Sequence, residues 1–217
     1  MIGGNRDMDI NRIEELAFNK MGKRKAHTKR EAGYIYFHGL RTAKLAIEIR
    51  KIIDETDSTK DNVIYAASLF HDIAKGIEPH GENGSILVHQ ILKDECSHEE
   101  LIEIAEIIRC HNLRNSDEDW PKHIRIVQDA DILDHMGTMD VWLSFIYQAY
   151  DEKSVDSSIE FFSDEEYESY LNDSRKKLNY DISKKIFDDR VEFIHEFIKR
   201  LSIEGKGGIF NKALFHR

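Results

Sequence analysis

Histidines and aspartates at inward positions of predicted helices are the residues of this 217-residue sequence that are equipped for metal chemistry. His71 and Asp72 are adjacent near the end of an apolar helical stretch, and His71 follows Ile64 by seven residues, on the same predicted face. Asp131 follows Ile124 by the same interval. A buried imidazole or carboxylate is costly unless it is paired or bound to a metal. These positions therefore indicate a buried polar site.

Three further histidines share a predicted helix face with apolar residues: His38, His80 and His111. One inward histidine is usually a core residue that hydrogen bonds satisfy. Four inward histidines with two inward acids are difficult to bury without a shared partner. Their nitrogen and oxygen donors suit iron, manganese, zinc, cobalt or nickel, whereas carboxylates alone would favour magnesium or calcium. The sequence predicts one or two divalent transition metal ions and does not distinguish between these elements.

Two cations fall beside the predicted ligands. Lys75 follows Asp72 by three residues, and Arg41 follows His38 by three, so helical spacing places each pair on one face. We interpret both cations as candidates to bind a substrate phosphate, Lys75 as a point charge. Structural ion pairs are the alternative for both side chains. No Ser-His-Asp or Cys-His nucleophile can be assigned, which leaves metal-activated water as the nucleophile.

The order of His38, the His71-Asp72 pair and Asp131 resembles the signature of the HD superfamily of metal-dependent phosphohydrolases. The flanking sequences agree: His-Gly-Leu-Arg-Thr, Leu-Phe-His-Asp-Ile-Ala-Lys and Asp-Ala-Asp-Ile-Leu-Asp. The resemblance covers about residues 34–150. It implies that these four residues bind a first metal. The extra histidines, His80 and His111, are similar to those of the binuclear subset, in which Asp72 would bridge two ions.

The resemblance implies hydrolysis of a phosphate ester or anhydride, in a small nucleotide. Asp72 and Lys75 are then the predicted catalytic residues, and Arg41 and Lys75 the predicted substrate-binding residues. The binuclear pattern resembles enzymes that cleave dinucleoside polyphosphates; cyclic-dinucleotide phosphodiesterases share it, but their Gly-Tyr-Pro motif does not occur here. A di-iron oxygenase of the same fold and a regulatory ligand-binding module with little turnover are the alternatives. The sequence does not specify the substrate.

The elements that must position these residues are helices, because the apolar spacing is helical almost throughout. We predict an all-α fold, a helical bundle with the metal site in its core and a C-terminal helical extension. The predicted division is an N-terminal helix with a basic loop (1–27), a metal-dependent hydrolase domain (28–150) and an acidic extension that packs on it (151–217). The predicted helices cover about 9–21, 34–54, 61–75, 79–93, 97–111, 121–135, 138–150 and 180–201.

Local signals set several of these limits. Gly76 is the predicted stop of the third helix, and Pro79 opens the fourth from its first turn. Ser97 and Glu100 form a capping-box pattern at the start of the fifth. The stretch 151–173 holds nine carboxylates against one lysine, which favours an exposed loop followed by a helix. The basic run 20–30 is interpreted as a solvated loop.

The composition of the chain indicates which kinds of partner it can bind. The formal net charge of −10 argues against stable binding to nucleic acid. The sequence has no apolar run of about 18 residues and its first ten residues are polar, so we expect neither a membrane span nor a secretory signal. Cys96 and Cys110 form no CxxC pair. We therefore expect a cytoplasmic protein whose partner is a small phosphorylated substrate; a homo-oligomer is compatible with the sequence.

Overall fold

The computed structural model describes residues 8–114 and 118–210, and every regular element in those ranges is an α-helix. The predicted all-α class is confirmed. None of the described helices has the length and apolarity needed to cross a membrane. The polar start of the chain, 1–7, and the last part of the predicted extension, 211–217, lie outside the described residues. The helices are α1 (Ile10–Met21), α2 (Tyr34–Ile53), α3 (Asp61–Phe70), α4 (His80–Leu92), α5 (His98–Cys110), α6 (Lys122–Asp134), α7 (Thr138–Tyr150), α8 (Val155–Phe162), α9 (Glu165–Lys176) and α10 (Asp181–Glu204).

The chain forms two compact units. The first contains the described residues up to Asp134 together with Lys177–Ser183, and the second contains His135–Lys176 and the described residues from Lys184 onward. The units therefore interleave along the chain. Their limits differ from the predicted domains 1–27, 28–150 and 151–217, which remain a prediction, as does the packing of the extension on the central domain.

In the first unit α2 packs against α3 and α6, while α5 packs against α3 and α4. Gly39 of α2 lies so close to α3 that an added Cβ atom would fall 2.3 Å from the carbonyl oxygen of Leu69. Only glycine permits this approach, because any side chain would collide with backbone. The close contact brings His38, next to Gly39, towards the end of α3.

The end of α3 differs from the prediction. The helix was expected to continue to Lys75, but it ends at Phe70 and residues 71–76 form consecutive tight turns. The amide of Ile73 donates to the Phe70 carbonyl and that of Lys75 to the Asp72 carbonyl, both at 2.9 Å. Such three-residue spacing places Asp72 and Lys75 above one another. Gly76, the predicted stop, has a left-handed φ of 90° and ends this segment, which we call the 71–76 turn.

The other helix ends can be compared with those predicted from capping residues, prolines and charge. The capping box of α5 is confirmed, because Ser97 and Glu100 make both reciprocal hydrogen bonds. α7 has the predicted limits. Pro79 stands one residue before α4 as its N-cap, not within its first turn. The acidic stretch was predicted as an exposed loop followed by a helix. Only its first four residues precede a helix, and most of the rest is helical, because Ser154 caps α8 and α9 follows closely.

The basic run 20–30 is not simply a solvated loop. Lys23 and Lys25 are exposed, as expected, but Arg30 is buried, and its guanidinium carbon lies 4.3 Å from the centre of the Tyr34 ring. Arg24 is only half-buried, yet its guanidinium donates to backbone carbonyls of the 71–76 turn. Part of the basic run is therefore a structural element of the first unit.

The second unit has an aromatic interior. The ring of Phe145 lies 6.1 Å from those of both Phe162 and Phe197, which joins α7 to α8 and α10. Beside it the buried carboxylate of Asp140 accepts a hydrogen bond of 2.5 Å from the hydroxyl of Tyr167. Burial raises the pKa of this Asp140 carboxyl, although the hydrogen bonds from Tyr167 and Ser144 oppose the shift.

Candidate metal centre

All six predicted ligands lie in the first unit, on or beside five different helices. His38 is in α2, and Asp131 is in the last turn of α6. His71 and Asp72 open the 71–76 turn, His80 is the first residue of α4, and His111 follows the last residue of α5. Five of the six are buried and His80 is half-buried. The fold thus brings together side chains that are up to 93 residues apart in sequence.

The first group is built around His38 and His71. Their Nε2 atoms lie 3.1 Å apart, and Asp131 Oδ1 lies 3.0 Å from His38 Nε2 and 3.5 Å from His71 Nε2. One ligand atom each from His38, His71 and Asp72 also lies within 4.8 Å of the other two. These atoms can hold one metal ion.

The second group lies on the other side of Asp72. The Nε2 atoms of His80 and His111 are 3.2 Å apart. Oδ1 of Asp72 lies 3.7 Å from the first and 3.8 Å from the second. His80, His111 and Asp72 can therefore hold an ion of their own. Oδ2 of Asp72 lies 3.8 Å from His71 Nε2, so this carboxylate faces both groups with different oxygens.

The Nδ1 atoms of the four histidines are all occupied by acceptors. Those of His71 and His111 face the backbone carbonyls of residues 68 and 108, both at 2.6 Å. His38 Nδ1 lies 2.7 Å from Asp134 Oδ2, and His80 Nδ1 lies 2.9 Å from a Glu78 carboxylate oxygen. A neutral imidazole that donates from Nδ1 carries its lone pair on Nε2. In that neutral form, the Nε2 lone pairs of His38 and His71 face each other, as do those of His80 and His111.

This arrangement fits a transition metal. Two facing lone pairs repel unless a cation lies between them. Nitrogen atoms bound to one ion at about 2.0–2.1 Å are themselves about 2.8–3.4 Å apart when the angle at the ion is between right-angled and tetrahedral. The two observed separations, 3.1 and 3.2 Å, fall in that interval. The donor set, nitrogen and carboxylate oxygen without thiolate, also suits such ions.

The electrostatics of the centre keep its acids ionised. Burial alone would raise the pKa of Asp72, but the charges of His71 and Lys75 lower it. The pKa of Asp131 is likewise held down, against its burial, chiefly by Arg114 and His71. Carboxylates that stay charged inside the protein favour a positive charge between them.

The pKa values of His38 and His111 are shifted in opposite directions. Burial opposes protonation of His38, but the hydrogen bonds to Asp131 and Asp134 outweigh it and raise the pKa to about 9. Burial, with the nearby His71, lowers the pKa of His111 to about 3, so that ring stays neutral and available as a ligand. A positive charge, carried by a proton or a metal ion, is favoured beside His38.

Both predicted phosphate-binding cations border the centre and each is paired with a carboxylate. Lys75 Nζ lies 3.3 Å from Asp72 Oδ1, and about two-fifths of the side chain is exposed. Arg41 forms a bidentate pair with Asp134, with both contacts at 2.9 Å. Arg41 is therefore connected to the centre through Asp134 and His38.

Sequence reasoning missed Asp134 and Arg114. Asp134 holds Nδ1 of His38, and the guanidinium of Arg114 donates to Oδ2 of Asp131. Asp134 had a usable signal, because it follows Asp131 by three residues and so shares its helix face. Arg114 lies in the connection after α5, where helical spacing gives no information.

The sequence profile of the HD domain matches residues 35–136, a range that contains all six predicted ligands in their order. The chain contains an HD domain. Comparison with curated proteins gives no match. The match ends two residues after α6, so nearly all of it lies in the first compact unit.

Solved structures share the HD fold over nearly the whole chain. An HD-superfamily hydrolase from Bacillus thuringiensis is 23% identical, with a TM-score of 0.64 over 91% of this chain and 98% of its own. YpgQ of Bacillus subtilis, in complex with ADP, is 20% identical, with a TM-score of 0.60 over 87% of this chain and 95% of its own. A Lactobacillus plantarum protein is 18% identical, with a TM-score of 0.59 over 93% and 100%. The similarity to these structures therefore extends beyond residues 35–136.

Proposed function

We propose that this chain is a metal-dependent phosphohydrolase that cleaves a phosphate ester or anhydride bond in a small nucleotide by means of metal-activated water. The observation that carries the proposal is the position of Asp72. Its Oδ1 faces His80 and His111, and its Oδ2 faces His71. A carboxylate placed in this way is suited to bridge two ions.

The proposed ligands form two groups that have Asp72 in common. His38, His71, Asp72 and Asp131 would hold the first ion, and Asp72, His80 and His111 the second. Two such ions supply a water of lowered pKa and stabilise charge on the attacking and leaving oxygens of a displacement at phosphorus. The protein contributes ligands that are already oriented, since each histidine has its Nδ1 position fixed.

Lys75 is the proposed phosphate-binding residue. Its ammonium borders Asp72 and is partly exposed, so it can reach an anion placed at the ions without a change in the buried ligands. Asp72 keeps Lys75 charged: burial would lower the pKa of the ammonium, but the carboxylate raises it. Arg41 is the second candidate for substrate binding, although its pair with Asp134 also fits a role in holding His38.

A nucleotide is the proposed substrate class on two grounds. YpgQ, which shares the fold, was crystallised with ADP. The centre also combines candidate Lewis acids with Lys75 and Arg41, the groups that a phosphate chain requires. The acidic balance of the whole chain favours a small substrate over a nucleic-acid backbone.

Hydrolysis is tested by a substrate screen with protein loaded with manganese or cobalt. Mononucleotides, dinucleoside polyphosphates and simple phosphodiesters are incubated with it, and phosphate and nucleotide products are measured. We expect hydrolysis that a chelator abolishes and added metal restores. Lys75→Ala should lower kcat/KM about 10- to 100-fold, as for the loss of a hydrogen bond to a charged group, while metal content is retained.

The other outcomes identify the alternatives. No hydrolysis, together with oxygen consumption by an iron-loaded sample, would assign the chain to the di-iron oxygenases. Metal and nucleotide binding with neither reaction would assign it to the regulatory modules.

The number of ions is tested separately by elemental analysis. His71→Ala should remove the ion of the first group, and Asp72→Ala should abolish metal binding, because Asp72 belongs to both groups. His80→Ala or His111→Ala should lower the content from about two ions per chain to about one, because only the second group loses a ligand. His89→Ala, an exposed histidine of the same helix α4, is the matched control. Unchanged content in both the His80 and His111 variants would show that the reaction uses a single ion.

A further inference from the structure

The 71–76 turn carries three residues of the proposed mechanism and is held by few regular hydrogen bonds. His71, Asp72 and Lys75 all lie in it, yet α3 has already ended and the turn amides bond over three residues only. Three-residue turns have poorer hydrogen-bond geometry than an α-helix and are uncommon over long stretches. Contacts from outside the turn must therefore contribute to its conformation.

Arg24 supplies such a contact. Its Nη1 donates to the carbonyl oxygen of Ile73 and its Nη2 to that of Lys75, so one guanidinium joins two carbonyls on either side of residue 74. The two donors of a guanidinium lie in one plane at a fixed spacing, which matches a pair of acceptors. A lysine ammonium is a single point and cannot reproduce that fork.

The backbone that presents Arg24 is itself fixed. The amide of Arg24 donates to the Met21 carbonyl at 3.1 Å, and the carbonyl of Arg24 accepts from the Gly33 amide at 2.8 Å. Gly33 has a left-handed φ of 81°, and an added Cβ atom there would lie 2.2 Å from the Gly22 carbonyl oxygen. The segment 22–33 is thus closed into a tight loop from which the guanidinium extends to the 71–76 turn.

We propose that Arg24 is a positioning residue for the metal centre. By holding the carbonyls of Ile73 and Lys75, it keeps Asp72 between the two histidine groups and Lys75 beside Asp72. The inference rests on the proposed function for its catalytic consequence. It assigns a role to part of the basic run 20–30, which was interpreted from its charge as a solvated loop.

Measurements of metal affinity distinguish a positioning role of Arg24 from an effect of its charge alone. Arg24 is a cation, so if it acted only by its charge, its removal would strengthen the binding of another cation nearby. A positioning role of Arg24 predicts the opposite effect: its removal should weaken metal binding. We expect Arg24→Ala to weaken manganese binding about 10- to 100-fold, the range typical of residues that orient metal ligands. Arg24→Lys, which keeps the charge but loses the fork, should also weaken it.

The control is Lys23→Ala, which removes the neighbouring, exposed charge. Manganese affinity is measured by competition with a chromophoric chelator, and amide hydrogen exchange is followed in the peptide that covers the 71–76 turn. We expect faster exchange in Arg24→Ala and wild-type exchange in Lys23→Ala. Millimolar guanidinium ion should restore part of the metal affinity of Arg24→Ala and have no effect on the wild type.

Several results would overturn the proposal. They are wild-type manganese affinity and turn exchange in Arg24→Ala, tighter metal binding in both alanine variants, or wild-type behaviour of Arg24→Lys. A lower Tm of Arg24→Ala with unchanged metal affinity would likewise show a role in stability only. Hydrogen exchange needs neither metal nor substrate, so the contact is tested even if no substrate is hydrolysed, a result that would contradict the proposed function alone.

Discussion

The four histidines of the centre are held through Nδ1 by acceptors of different charge. Backbone carbonyls hold His71 and His111, whereas carboxylates hold His38 and His80. A carboxylate partner increases the basicity of an imidazole ligand more than a carbonyl does. His38, whose partner Asp134 is buried, should therefore be the histidine most dependent on its partner.

We predict that Asp134→Asn weakens metal binding about 10- to 100-fold, because His38 loses a charged acceptor while the size of the side chain is kept. Glu78→Gln is the matched control, since it makes the same chemical change at the partner of His80. Glu78 is largely exposed, so water can replace it and the effect should be small. Metal affinity is measured for both variants by chelator competition. Equal affinities for the two variants would mean that Asp134 serves only to pair with Arg41.

At the scale of elements, the contact of α2 with α3 sets the distance between His38 and His71. Gly39→Ala would place a methyl group 2.3 Å from the Leu69 carbonyl oxygen, and backbone cannot yield as a side chain does. We predict a loss of about 1–3 kcal/mol in the free energy of unfolding, as for other overpacked positions, with weaker metal binding. Urea unfolding and metal titration measure the two effects. Lys44→Ala, on the exposed side of α2, is the control, and equal stability of the two variants would contradict the prediction.

The sequence predicted the elements best where one local signal decides. The capping box at Ser97 and the limits of α7 are examples. It failed at the end of α3, because Ala67, Phe70 and Ala74 keep an inward spacing in an α-helix and in tight turns alike. Local spacing does not distinguish the two conformations.

The centre was predictable only in part for a similar reason. The inward face of a helix can be predicted from the spacing within that helix alone, so His38, His71 and Asp131 could be identified individually. The resemblance to the HD superfamily then indicated that they form one site. The contacts that orient them join distant segments. Arg24 reaches residues about fifty positions away, and Asp134 bonds to His38 across 96. No local pattern specifies such pairs.

At the scale of the whole molecule, one carboxylate joins two distant parts of the first unit. Asp129 of α6 accepts hydrogen bonds from the amide of Asn179 at 2.8 Å, from its side chain at 2.7 Å and from the amide of Tyr180 at 3.1 Å. We predict that Asp129→Ala lowers the free energy of unfolding by about 1.5–3 kcal/mol, because hydrogen bonds to a charged group are lost. Urea unfolding of Asp119→Ala, which removes an exposed acid, gives the comparison. Equal loss in both variants would show that the contact is not stabilising.

The bonds made by Asp129 have a consequence for fragments of the protein. A protease cut in the connection between α7 and α8 would leave all six proposed ligands on the N-terminal piece and Lys177–Ser183 on the other. The first unit would then consist of two polypeptides. Hydrogen bonds from Asn179 and Tyr180 of the C-terminal piece to Asp129 of the N-terminal piece would connect them. The pieces should remain associated after the cut, and separately produced halves should complement each other when mixed.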